Sequence, residues 1–169
     1  MINTIRALAI GAAVAFTAPA FAASETIVGK ASATPELSTL VTAVDAAGLV
    51  DTLNGEGPFT VFAPVNGAFE ALPEGALDGL LADKEALTGV LTYHVVGGAS
   101  VDAETLVGMI QKDGGSHDIS TVAGGTITAS VDGDNVVLTD AQGNTATVVI
   151  ADVSASNGVV HVIDGVLLP

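Results

Sequence analysis

The chain has 169 residues, no cysteine, nineteen carboxylates and only four Lys or Arg, for a formal net charge of −15. Lack of a thiol excludes a disulfide framework, a thiolate metal site and a lipid-modified cysteine. The shortage of cations excludes direct binding to nucleic acid or to an anionic membrane, both of which need clustered Lys and Arg.

The carboxylates are spread without a block of like charge, which reads as a solvated surface; adaptation to a salty medium or attraction of cationic partners is the alternative. At the amino end, Arg6 precedes an apolar stretch from Ala7 to Phe16, and Ala20-Phe21-Ala22 supplies a small-x-small cleavage site. Residues 1–22 are therefore read as a cleaved secretion signal, too short to span a bilayer as an anchor. Export to the periplasm or the extracellular space follows. Cleavage leaves 147 residues, a length that buries about 70% of its unfolded surface and folds without covalent staples.

Residues 23–33 are small and polar and read as a short flexible arm, with a single domain over 34–169. Thr34-Pro35-Glu36 has the order of an N-cap, a first-turn proline and a first-turn carboxylate. Leu37, Leu40, Val41 and Val44 follow at helical spacing, and Gly48 suits the C-cap. Leu49, Val50 and Leu53 suggest a further helical turn before the loop Asn54-Gly55-Glu56-Gly57-Pro58. Phe59–Ala63 is a strand by its β-branched and aromatic content. Pro64 ends it, and Asn66 is expected to cap a short helix carrying Phe69 and Leu72.

Helical pieces are predicted over Glu74–Leu81 and Lys84–Leu91, then an extended segment over Thr92–Val96. Ser100 or Asp102 would cap a last helix through Leu106 and Met109. Beyond Asp118 the apolar period changes to two. Strands are predicted at Ile119–Val122, Thr126–Val131, Val136–Thr139, Thr145–Ala151 and Val159–Leu168. Asp132-Gly133-Asp134-Asn135 and Ala141-Gln142-Gly143-Asn144 form the hairpin turns. A helix-rich front half and a β-meander back half make an α+β fold.

Three segments carry a family likeness: Gly57-Pro58-Phe59-Thr60-Val61-Phe62-Ala63-Pro64-Val65-Asn66-Gly67-Ala68-Phe69, Leu91-Thr92-Tyr93-His94-Val95-Val96, and Ala155 through Pro169 with Asn157-Gly158 and His161. In order and at this spacing, they resemble the signature regions of fasciclin-like domains, secreted adhesion and matrix modules, over nearly the whole mature chain. The resemblance implies a β-sheet wedge carrying a layer of short helices. It also implies that Phe62, Pro64, Asn66, Phe69, Asn157, Gly158 and His161 are scaffold residues. Two departures stand out. Val65 and Gly67 flank Asn66 where the family usually has a hydroxyl and an acid, and Gly97-Gly98 replaces the usual Pro-Gly.

Of the three histidines, His94 and His161 lie in apolar segments and read as buried imidazoles that satisfy backbone groups; His117 reads as a solvated loop residue. No His-x-His or His-x₃-His pair offers a metal site. Asp132-Gly133-Asp134-Asn135 fails as a calcium loop because Val136 and Gly143 stand where an oxygen ligand and a bidentate Glu are needed. A Gly-x-Ser-x-Gly elbow and a phosphate loop are both missing from the sequence, so the chain reads as non-catalytic.

The resemblance implies two contact elements. Tyr93-His94 matches a Tyr-His pair implicated in receptor binding by animal members. Asp152-Val153 aligns with an Asp-Ile pair read as an integrin-recognition element in an animal matrix member. The residues themselves read first as core packing for Tyr93 and His94 and as a strand-end carboxylate for Asp152. Variable specificity is expected in the loops Gly97–Ser100 and Asp113–Asp118.

The expectation is an exported, monomeric, metal-free module for cell adhesion, matrix or biofilm association, with a protein or glycan of the cell surface or matrix as its partner. The alternative is a carrier of a small apolar ligand such as a carotenoid, which some fasciclin-like proteins bind; Val65, Phe69, Met109 and Ile110 are its apolar candidates. A third possibility is a periplasmic housekeeping or stress protein.

Overall fold

The computed structural model describes residues 26–55 and 57–169. The predicted signal and its cleavage site lie outside these residues. Among them, no helix is long and apolar enough to cross a membrane.

Two strands distant in sequence pair at the second and third places of the seven-stranded sheet. Strand β1 (Phe59–Pro64) runs parallel to β7 (Gly158–Ile163), in a register from Phe59 opposite Gly158 to Pro64 opposite Ile163. β2 (Val95–Gly97) flanks β1, and on the other side follow β6 (Thr145–Ala155), β5 (Asn135–Thr139), β4 (Thr126–Asp132) and β3 (Ser116–Ser120). All pairs except β1–β7 are antiparallel. The meander is the expected one, closed by two-residue turns at Gly133-Asp134 and Ser156-Asn157.

Because β1 and β7 are buried on both faces, their alternating side chains feed two separate cores. Val61, Ala63, Val160 and Val162 enter one, with Leu40, Val44, Leu87 and Leu91 from the helices. Phe62 and Ile163 enter the other, with Leu106, Ile110, Ile127 and Leu138. Val160–Ile163 is thus buried throughout, with His161 as its polar residue.

The helices are α1 (Ile27–Ser32), α2 (Ser38–Ala47), α3 (Val50–Leu53), α4 (Asn66–Glu70), α5 (Ala76–Ala82), α6 (Lys84–Tyr93) and α7 (Ala103–Lys112). Gly48 ends α2 in the left-handed conformation at φ 74°, as its C-cap position requires. Asp83 caps α6 through Glu85 and Ala86 N–H, and Asp102 caps α7 through Thr105 N–H.

Several expectations are corrected. Residues 27–32 of the expected arm form α1. Thr26 accepts a cap bond from Gly29 N–H, and Ile27 and Ala31 reach the first core, so four-residue spacing of two apolar side chains suffices once a groove receives them. Pro35–Leu37 is a 3-10 turn without a Thr34 cap; the Thr34 hydroxyl donates to Lys30 O instead. Thr92 and Tyr93 are helical, not extended, because Leu87, Val90, Leu91 and Tyr93 continue one buried stripe of α6. β3 starts at Ser116, which makes His117 a strand residue paired with Ala129 rather than a loop residue. β7 ends at Ile163, and Val166 and Leu167 are buried beyond it without ladder pairing.

Candidate interaction surface

Tyr93 and His94 are interior residues. The Tyr93 hydroxyl donates to Thr126 O (2.6 Å) and accepts from Ala141 N–H (3.1 Å), and burial pushes its phenol pKa up. His94 caps the end of α6, not the start of a strand. Its Nε2 accepts Leu167 N–H at 2.9 Å, so Nδ1 carries the proton that bonds Val90 O at 2.8 Å. Burial lowers the His94 pKa to about 4, against the opposing pull of the Val90 bond and of Asp140. Neither ring presents a contact face, and both nitrogens of His94 are committed to backbone.

His161 is built the same way in another place. Its Nδ1 accepts Asp152 N–H at 3.3 Å, which places the proton on Nε2 for the 2.6 Å bond to Val101 O. Its ring stacks on Phe62, with centroids 5.6 Å apart. The imidazole thereby ties β7 to the segment before α7 and to β6.

Asn157 joins four parts of the chain. Its Nδ2 donates to Leu53 O and Gly55 O, its Oδ1 accepts Ile27 N–H, and its carbonyl accepts Phe59 N–H. Gly158 is forced by contact: a Cβ there would lie 2.0 Å from Phe59 O. Pro64 closes β1, and Phe69 is buried in the first core. Asn66 does not cap α4, whose cap position is Val65. It reaches instead to the start of α2, accepting Thr39 N–H at 3.0 Å and donating to Pro35 O at 3.1 Å.

Asp140 has a structural role that the hairpin reading of its turn left out. Its Oδ1 accepts from Gln142 and Asn144 N–H, and its Oδ2 from Asn144 Nδ2 and Leu168 N–H. Burial opposes charge on this carboxylate, but the bonds from Asn144, Leu168 and Gln142 outweigh it and hold the pKa below the ordinary value. An Asp two residues before Gln142 and four before Asn144 is an Asx-turn signal that could have located it.

Asp152 and Val153 lie on the surface-facing strand, and Asp152 is not at its end. Register shifts separate Val148, Ile150 and Val153 in their pairing with β7, so Ala151 and Asp152 together oppose His161. Asp152 takes a positive φ of 61° at this bulge, a conformation in which Asp and Asn are the favoured non-glycine residues. Its Oδ1 accepts Ala103 N–H at 2.7 Å, pinning the bulge to the first turn of α7. Hydrogen bonds from Thr105 hold the neighbouring Asp102 carboxyl below its ordinary pKa.

The bulges break the pleat alternation, and Val149 and Ile150 emerge in succession, 54% and 48% exposed. Val153 stays half-buried against the first core. Beside the ribbon's far end lies an open hollow of about 660 Å³ whose rim includes Pro58, Ser100, Ser154 and Ser156. The bulged half of β6 thus exposes an apolar pair and a carboxylate, and a hydroxyl-lined hollow borders its far end. This arrangement can make contacts.

The four apolar ligand candidates do not share a cavity. Val65 and Phe69 belong to the first core, and Met109 and Ile110 to the second. A separate apolar crevice of about 20 Å³ lies under α1, lined by Ile27, Val28, Ala31, Leu40, Val44 and Leu53 among others. Among the described residues, no group of three or more His, Cys, Asp or Glu is placed to hold a metal ion.

A family model described as the fasciclin domain matches residues 35–169. Protein sll1483 of Synechocystis sp. is 47% identical over 146 residues, covering 85% of this chain and 73% of that protein. The cell surface glycolipoprotein MPB83 of Mycobacterium bovis is 36% identical over 152 residues, covering 87% of this chain and 62% of that one. Among solved structures, a FAS1 domain pair from the insect cell adhesion molecule fasciclin I matches with a TM-score of 0.71 at 23% identity, covering 86% of this chain and 51% of the pair. That likeness is one of fold, and this chain spans about half of the pair.

Proposed function

The chain belongs to the fasciclin domain family, and from that premise we propose that it is an exported, non-catalytic interaction module for cell adhesion, matrix or biofilm association. Its partner is a protein or glycan of the cell surface or matrix, and it acts as a monomer in the periplasm or outside the cell. The observation that carries this reading is the bulged half of β6. Val149 and Ile150 are exposed on a segment that the Asp152–Ala103 bond holds in place, and ordered apolar surface next to polar groups is what a recognition patch requires. A relative named as a cell surface glycolipoprotein points the same way.

The test is adhesion of the native host to an abiotic surface and to its own matrix. A strain carrying Val149→Ser with Ile150→Ser should adhere several-fold less well than its parent, with unchanged protein level and melting temperature. If a strain lacking the gene adheres as the parent does, the adhesion reading falls.

A second reading, carriage of a small apolar ligand such as a carotenoid, is supported by the crevice under α1. Its lining is aliphatic, but its volume suits about one water, so α1 would have to lift to admit a ligand of that length. Protein purified from its native host should then show visible absorbance. A colourless protein that takes up no carotenoid on mixing excludes this reading.

A further inference from the structure

Helix α5 differs from the other described helices in that it buries none of its residues. Leu77, Leu80 and Leu81 nevertheless stand at i, i+3 and i+4, the spacing of one apolar stripe. Leu77 and Leu80 touch the rim of the first core, while Leu81 is 39% exposed and Ala82 is also exposed. A seven-residue helix with Gly79 at its centre has little intrinsic stability, and helices of this length depend on covering their apolar face. The stripe on α5 is only partly covered.

The surroundings of the stripe are strongly one-signed. Glu74 and Asp83 flank α5 in the chain, Asp78 lies within it, and all three are exposed. Lys84, the cation of this stretch, is turned away. Its Nζ lies 3.8 Å from where a Cβ on Gly48 would stand, at the carboxyl end of α2, where a helix dipole favours positive charge. Glu74 and Asp78 are therefore exposed carboxylates beside the leucine stripe.

We propose that the Leu77–Leu80–Leu81 stripe of α5 is a docking face for a basic amphipathic helix of a partner protein. The partner's apolar side chains cover the leucines, in the manner of helix-to-groove recognition, and its Lys or Arg side chains meet Glu74 and Asp78. Charge selects this occupant. A second copy of the chain, at a net charge of −15, would set Glu74 and Asp78 against carboxylates of the same sign, and an anionic membrane would be repelled in the same way. This face is separate from the β6 ribbon, and the inference does not depend on the adhesion reading.

The probe is a fluorescein-labelled amphipathic helix of eighteen Leu and Lys residues, compared with a counterpart in which Glu replaces every Lys. With the full exported chain, the Lys peptide should bind, lose affinity with added salt, and slow amide hydrogen exchange across residues 76–82. Leu81→Ser should weaken binding at least tenfold, and Asp78→Lys, a surface change, should do the same. Val131→Ser alters an aliphatic of similar exposure, 37%, elsewhere, and should leave affinity unchanged. The proposal is overturned by absence of binding, by equal binding of the Glu peptide, by an equal loss in Val131→Ser, or by protection that falls on residues 149–155 instead. Concentration-dependent self-association that protects 76–82 without peptide would assign the face to a second copy.

Discussion

Strands β7 and β6 lie side by side, and they use hydrogen bonding for opposite ends. β7 carries a family signature, and it is interior: Val160, His161, Val162 and Ile163 are buried, with Gly158 and Asn157 locked against β1, α1 and α3. The second half of β6 is its neighbour in the ladder, yet Val149, Ile150, Ala151 and Asp152 are all exposed. The two bulges make the difference. They release β6 from strict alternation while His161 and Ala103 hold it at fixed points. The most recognisable residues of this domain are thus spent on holding it together, and the less recognisable ones beside them are available for contact.

The largest effect should come from the closed side of this comparison. Gly158→Ala would place a Cβ 2.0 Å from Phe59 O, and the parallel β1–β7 ladder would have to part to accept it. Because that ladder separates both cores, a loss of more than about 3 kcal/mol is expected, equivalent to a melting temperature lower by roughly 10 °C. Thermal denaturation followed by circular dichroism measures it. A melting temperature within 2 or 3 degrees (about 1 kcal/mol) would mean that the ladder yields easily and that β7 is less rigid than its contacts imply.

An acid titration probes the other buried imidazole. His94 has a folded pKa of about 4 against an ordinary value near 6.5. Between these values the unfolded chain binds the proton and the native chain does not, so stability rises with pH. The contribution is complete above about pH 6.5 and is lost progressively as pH falls towards 4, on the order of 3 kcal/mol in all. Asp140, whose pKa is depressed, adds a loss of the same sign at lower pH, below its ordinary value. Both groups hold the segment after β7, through Leu167 and Leu168 N–H. The protection of those two amides against hydrogen exchange, relative to the intrinsic rate at each pH, should fall on acidification before that of β1 does. His94→Gln should flatten the pH dependence of stability between 6.5 and 4; an unchanged slope would assign the acid sensitivity to other groups.

What could be read from the sequence follows the same division. β1 and β7 are legible because burial on both faces requires continuous Val, Ile and Phe, whatever the rest of the chain does. The hairpin turns are legible because Asp132-Gly133 supplies its own backbone preference. Tyr93 and His94 read as strand residues because Thr92, Tyr93, Val95 and Val96 favour extended structure, but the buried stripe of α6 overrides that preference for Thr92 and Tyr93. The expected arm concealed α1 because a helix with two buried side chains leaves almost no periodic signal. The bulges were illegible for a stronger reason. A register shift is a relation between two strands, and nothing within Val149-Ile150-Ala151-Asp152 states how many of its residues face His161.

The smallest effect separates geometry from charge at the open side. Asp152 has two possible reasons to be acidic: to accept Ala103 N–H while tolerating a φ of 61°, or to offer negative charge to a partner. Asparagine keeps the first property, because its amide oxygen accepts the same bond and its backbone enters the left-handed region readily. Asp152→Asn should therefore cost no more than a few tenths of a kcal/mol. Asp152→Ala removes the acceptor and also strains the backbone, and should cost about 1–2 kcal/mol. If adhesion survives Asp152→Asn but not Asp152→Ala, the residue acts by shaping the ribbon on which Val149 and Ile150 are displayed. Loss of adhesion in both, with the Asn variant as stable as its parent, would instead make the charge itself part of what the partner reads.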